Sequence, residues 1–539
     1  MSGAAARPDT GDGRLAAHPP PAPSPWRPVW RGIVLRSVLV PLIVLAPLVT
    51  LPPSADHRFN VYANGARYLT HPWEMAGQAV RSVPPYLELG NFRPLGRIVE
   101  WALDTVAFAV TDLSGLPANV ALRLVSFAAA ILLTLAGVVL AECVVTRGRP
   151  FAGPPSLIAA VLPFAAGGSF VAAGRASTTV LFGGLYFVTA ALVLLVAAAA
   201  ARTAGRIRLG ARPGALAVAL GGALAAFNEM AYLALPLATG VVLIRARMVL
   251  GLPWSATVRG AGARFAGLLW AGFLPVAVPV RAIIAQRCAD GGCYAGSDVA
   301  VAGVLGALPH RLTAWVPPLM WQRAAEGPYG RTLGPALLLA LLALLLLVRR
   351  FHADRPGCDA PDRRQCWALA ATGLATLVPA AIMGALNAQV QQLAAAGWWG
   401  LGWRDSALTG PAGAMLTVAL LTGLLARSHR GARSHRAGML AGVLLLVVCA
   451  AVGAAANRDH RAAAGSGRSA YLHDRVAQEI ADFDRSPAGN ARRCALRAEF
   501  RAGLPAARGG DPVELRRFDR AVDAATARLA GRRFCAGAP

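Results

Sequence analysis

Lysine is missing from this chain: all 53 residues counted as Lys or Arg are arginine. With abundant alanine, glycine and proline, that reads as the coding bias of a high-GC genome rather than a demand for guanidinium chemistry. Several catalytic signatures are missing too. No G-x-x-x-x-G-K-[ST], G-x-S-x-G, H-E-x-x-H or C-x-x-C occurs, which disfavours ATP-driven transport, a serine hydrolase and a classical zinc protease. Charge is sparse, at 15% of 539 residues, and no internal repeat is evident.

What is present is apolar. A hydrophobic content of 56%, a mean hydropathy of +0.50 and many long apolar runs describe an all-α, polytopic membrane protein. A net charge of +26 would suggest nucleic acid in a soluble protein. Here much of it lies in short loops and no basic domain is interleaved with aromatics, so no nucleic-acid partner is expected. The alternation of arginines predicts about eleven transmembrane helices: 33–51, 122–145, 156–173, 180–201, 215–227, 231–244, 265–284, 333–348, 367–386, a run ending at Leu425, and 437–456. It places the protein in the cell membrane, with Arg27, Arg31 and Arg36 holding the N-terminus in the cytosol and the C-terminus outside. The runs either side of Asn228-Glu229 are short for a perpendicular crossing. Either they tilt, or the polar break sits below the membrane surface.

Three regions follow. Residues 1–32 are a Pro/Ala-rich cytosolic tail, 33–456 the membrane domain, and 457–539 a charged, helical, extracytoplasmic region. In the last, Leu472, Val476, Ile480 and Phe483 share one helix face, as do Leu515, Phe518, Val522, Ala525 and Leu529. The chain is organised around the first external loop, 52–118, which is too rich in Trp, Tyr, Phe and Leu for a disordered segment. Pro94 suits a first helical position, and Leu95, Ile98, Val99, Ala102, Leu103 and Val106 make one apolar face. Arg97, Glu100 and Asp104 share the opposite face. This predicts a helix on the outer membrane surface that holds charged groups above a cavity.

Candidate site residues come from several stretches. Asp56, just beyond the first span, is placed to be a general base or a metal ligand, or is a solvated loop acid. His57 is a ligand or a polar neighbour. Arg58, Arg93 and Arg97 are candidates for a phosphate, the latter two bracketing a helix start, unless they snorkel to lipid headgroups. Glu229 is a carboxylate inside an apolar hairpin, functional or in water at the apex. Arg404 and Asp405 follow Trp398, Trp399 and Trp403. They contact a lipid-phosphate head, or bridge each other below an aromatic belt. Cys288 with Cys293, and Cys494 with Cys535, are expected to form external disulfides; Cys358 and Cys366 stay reduced.

With its first external loop carrying an early acid and then NFRPLGRIVEW, the chain over 33–456 resembles multi-spanning glycosyltransferases of the GT-C class. These use polyprenyl-phosphate-linked sugars at the outer membrane face. The resemblance implies that Asp56 matches the catalytic acid, with an unknown glycan, lipid or protein acceptor and no cofactor. Many members have two adjacent acids where this chain has Asp56-His57, which counts against a divalent metal without removing it as an alternative. Glu100 and the other residues above are accessory candidates from the residues themselves. The competing expectations are a transporter or flippase for a lipid-linked or anionic solute, centred on Glu229, and a non-catalytic envelope scaffold using 457–539.

Overall fold

The computed structural model describes residues 26–52, 57–148, 150–181, 183–289, 293, 299–324, 334–427, 432–465, 468–503 and 512–537. Asp56 and the tail up to residue 25 lie outside the described residues. Among the described residues every regular element is helical, and β pairing is confined to the isolated bridges Ser156–Asp359 and Val299–Asn387.

The chain starts with α1 (Arg27–Leu45) and reaches the first long loop, which holds α2 (His57–Thr70), α3 (Glu74–Arg81), α4 (Val83–Glu88) and α5 (Pro94–Ser114). Then come α6 (Ala118–Val145), α7 (Leu157–Gly167), α8 (Gly183–Thr203), α9 (Ala211–Ala225), α10 (Ala234–Ile244), α11 (Trp254–Arg259) and α12 (Ala261–Cys288). The short α13 (Val304–Leu312) and α14 (Pro317–Ala324) precede α15 (Pro335–Asp354), α16 (Arg363–Ala385), α17 (Ala388–Ala395), α18 (Ser406–Arg427) and α19 (Ala432–Gly465). The last region is α20 (Arg468–Ala481), α21 (Pro487–Ala502) and α22 (Pro512–Ala530).

Nine helical segments among the described residues are long and apolar enough to cross a bilayer, as expected of a multi-pass membrane protein. They are α1, α6, α8, the segment Glu229–Val249 around α10, α12, α15, α16, α18 and α19. The other two apolar runs make the shorter helices α7 and α9. After α7 the chain runs on without helix, buried in protein, and its backbone is bonded by a side chain. Asn457 on α19 accepts from Ala172 N and donates to Phe170 O and Val44 O. Irregular backbone at membrane depth is tolerated when it is satisfied in this way. Helix α9 is held against α12 by small residues: a Cβ at Gly221 would stand 2.1 Å from Leu269 O.

Arg36 does not flank the first span. It is fully buried within α1 and bonds Asp354 at 2.8 Å, at the end of α15.

Of the apolar clusters among the described residues, the largest joins the apolar helices, and a second joins α2, α5 and the start of α6 to α20–α22. In the second, Phe59 of α2 meets Phe500 and Phe518 edge-on, and Leu472, Val476, Ile480, Phe518, Val522 and Ala525 are buried as their spacing predicts. The disulfide Cys494–Cys535 ties α21 to the segment after α22. The last region is thus packed against the first long loop.

Candidate functional site

Helix α5 begins where the chain breaks between α9 and α10. Leu95 N donates to Ala226 O at 3.0 Å, and a Cβ on Gly96 would lie 2.2 Å from Phe227 O. Only glycine permits that approach. Across the break, Asn228 is buried, caps the following turn by accepting from Ala231 N, and donates to Thr189 on α8. The break is therefore inside the protein rather than at a loop apex, and it delivers Glu229 beside Arg93.

A cavity of about 380 Å³ opens at this junction. Its charged lining is Arg93, Glu229, Arg281 on α12, Arg404 and Asp405. Tyr186, Tyr232 and Trp403 add rings, and Met230, Leu233, Met383 and Leu386 an apolar wall.

The two carboxylates differ. Asp405 is fully buried and gripped by both arms of Arg311, from Nε at 3.0 Å and Nη2 at 2.6 Å; Arg311 also donates to Leu401 O. Burial pushes this carboxyl up and the charge and hydrogen bonds of Arg311 pull it back. Glu229 is about 41% exposed and meets Arg281 once, at 3.4 Å. Arg281 lies over the Tyr232 ring at 5.2 Å, and Arg404 over Trp403 at 5.7 Å. Arg93 reaches Glu100 only at 3.8 Å, and its Nε is buried without a hydrogen-bond partner. Burial opposes its charge, but Glu100, Tyr186 and Glu229 outweigh that and raise its pKa. Three lining arginines therefore face two lining acids, one of them neutralised from behind by Arg311. The cavity carries an excess of positive charge beside an apolar wall.

Farther along α5 is a crevice of about 20 Å³, lined by His57, Glu100, Asp104 and Arg123. His57 Nδ1 lies 3.1 Å from Asp104 Oδ1, and Asn64 donates to Asp104 Oδ2 at 3.1 Å. Burial lowers the His57 pKa, but the hydrogen bond and charge of Asp104, with Glu100, leave it raised overall. Arg123 is buried and donates to Leu51 O, Pro52 O, Thr179 O and Val180 O, anchoring the backbone that leads toward Asp56. Arg97 pairs with Glu100 at 3.3 Å and covers the Tyr86 ring at 3.9 Å.

The charged face of α5 is thus its inner face, with Glu100 and Asp104 lining the crevice. Glu100 and Asp104 are buried while Val106 is exposed, because each acid finds cationic or amide partners inside. Of the candidate residues, Arg93, Glu229, Arg404 and Asp405 share the cavity; His57 and Glu100 share the crevice. Arg58 lines neither and pairs with Glu514 at 2.9 Å in the second core. Asp405 bonds Arg311 rather than its neighbour Arg404. Cys288 and Cys293 are disulfide-bonded against Gly90, next to the cavity residue Asn91.

Sequence reasoning missed Arg281, Tyr186, Tyr232 and Arg311. Arg281 had a signal: it is an arginine within an apolar run, and charge at that place is functional by default. Among the described residues no group of three or more His, Cys, Asp and Glu gathers as metal ligands. Comparison with known proteins finds no matching family model, no matching curated protein and no matching solved structure.

Proposed function

We propose that the chain is a GT-C-like membrane glycosyltransferase that moves a sugar from a polyprenyl-phosphate donor to an acceptor at the extracytoplasmic face. The observation carrying this reading is the cavity in which Arg93, Arg281 and Arg404 outnumber the available carboxylates beside an apolar wall. Such a lining suits an amphiphile with an anionic head. In this scheme the arginines hold the departing phosphate, preorganised where negative charge develops. Asp56 takes the proton of the acceptor hydroxyl as it attacks the anomeric carbon from the opposite side, giving inversion. The Arg123 anchor on Pro52 and the Asp104 bond to His57 brace the chain on both sides of Asp56. No cofactor enters. The protein sits in the cell membrane with about eleven apolar helices, its N-terminus in the cytosol and α20–α22 outside.

The test is turnover by purified protein given a polyprenyl-phosphoryl sugar, followed as released polyprenyl phosphate. Wild type is expected to release it, and Asp56→Asn to bind donor normally with turnover reduced at least a hundredfold. Equal turnover by Asp56→Asn would remove the general base from the scheme.

One observation favours a second reading. The discontinuous segment at Asn228-Glu229, with Asn228 buried and Glu229 open to the cavity, is the kind of element that holds solutes in transporters. Movement of a lipid-linked sugar across proteoliposomes without any transfer would select it.

A further inference from the structure

The helices that build the cavity build another site at their far ends. A pocket of about 210 Å³ is lined by residues just beyond α8, at the end of α10, in α11 and at the start of α12. Tyr186 in the cavity and Ala204 in this pocket are eighteen positions apart along α8. At 1.5 Å per residue that is roughly 27 Å, close to the hydrocarbon thickness of a bilayer. The two sites are therefore separated by about the thickness of a bilayer's hydrocarbon core.

The pocket has a built wall. Gly205 turns the chain with φ +85° after α8, and Ala261 N at the head of α12 donates to Arg206 O at 3.0 Å. Arg206 and Arg259 line it; both are exposed to solvent, and neither guanidinium has a hydrogen-bond or ion-pair partner among the described residues. No acid is near in sequence: between Glu142 and Asp290 the chain has only Glu229, which lies in the far cavity. Exposed Ile207 lines the pocket, and on α11, which contributes Ala256, Thr257 and Arg259 to the lining, Trp254 and Val258 are also exposed. Arg247 lies 4.8 Å over the Trp254 ring.

We propose that this pocket binds the headgroup phosphate of an anionic glycerophospholipid of the adjacent leaflet. Two guanidiniums without partners and the start of a 28-residue helix attract a phosphate. The exposed Ile207, Trp254 and Val258 suit acyl chains and the headgroup boundary, and would be wasted on a soluble anion. Among the described residues the lining offers no carboxylate for the ammonium of a zwitterionic headgroup. This binding is independent of the glycosyltransferase reading.

The test uses full-length protein in nanodiscs of equal phosphatidylglycerol and phosphatidylcholine, with retained lipid counted by native mass spectrometry after detergent extraction. Wild type is expected to retain phosphatidylglycerol over phosphatidylcholine by roughly tenfold or more, from about 1 kcal/mol for each arginine. Arg206→Ala with Arg259→Ala should fall close to parity. Arg206→Lys with Arg259→Lys, which keeps the charges that orient the protein, should retain a preference between the two. Equal retention of both lipids by wild type, or an undiminished preference in the double alanine variant, overturns the proposal. So does displacement of phosphatidylglycerol by millimolar inorganic phosphate, which would make the ligand a soluble anion.

Discussion

Asp405 and Glu229 line one cavity, each faces an arginine, and they are built for different purposes. Asp405 is dry, held by two hydrogen bonds from Arg311, and its partner is fixed further by Leu401 O. Glu229 is wet, with one looser contact to Arg281. A buried pair that loses one member leaves an uncompensated charge, whereas an exposed pair contributes little to stability. The difference makes Asp405 part of the wall and leaves Arg281 only loosely held by Glu229.

The comparison would break first at Arg311. Arg311→Ala is expected to cost about 3–5 kcal/mol, seen as loss of the monodisperse protein at lower temperature on size-exclusion after heating. Replacing both partners by apolar residues (Arg311→Met with Asp405→Leu) should restore part of that loss. A single variant as heat-resistant as wild type would show that Asp405 is not a wall residue.

Asp104 falls between the two, since its partner His57 titrates. With a raised folded pKa, His57 contributes stability that is complete below its ordinary value near 6.5 and is lost as pH rises through the folded value. His473 works in the other direction. Burial beneath Phe59 and Phe500, then the charge of Arg58, push it down to about 4, so its contribution is present above 6.5 and lost as pH falls toward 4. Melting temperature against pH should therefore fall on both sides. His57→Gln is expected to cost about 1–2 kcal/mol at pH 6 and to flatten the alkaline side alone.

Glu229→Gln gives the smallest change in folding, under about 1 kcal/mol. It should leave melting unchanged and tighten polyprenyl-phosphate binding a few-fold by releasing Arg281. Weaker binding would mean that Glu229 is itself a ligand contact, and loss of transport without effect on transfer would favour the transporter.

Much of this architecture is legible in one sequence because it follows local periodicity. The apolar runs become helices at nearly the expected places, and Leu472, Val476, Ile480, Phe518, Val522 and Ala525 of the two C-terminal stripes are buried, while Phe483, Leu515 and Leu529 are half-buried. The helix starting at Pro94 is also legible, with Glu100 and Asp104 on one face. The partners that face meets, His57, Asn64 and Arg93, are not legible, because their arrangement is tertiary. Hydropathy likewise cannot tell a crossing from a shorter helix packed by glycine, as for α9. The cavity was half visible: unusual charges at 93, 229, 404 and 405 stand out, whereas Arg311, in a stretch readable as an interfacial segment, is matched to Asp405 only through the fold.

The central claim is that the cavity holds a lipid phosphate through Arg93, Arg281 and Arg404. It is tested most directly by comparing the affinity of detergent-solubilised protein for polyprenyl monophosphate and for the uncharged polyprenol. The account predicts that wild type prefers the phosphate at least tenfold, and that Arg281→Ala or Arg404→Ala melts normally yet loses most of that preference. Equal affinity for the two lipids, or an undiminished preference in both variants, would contradict it.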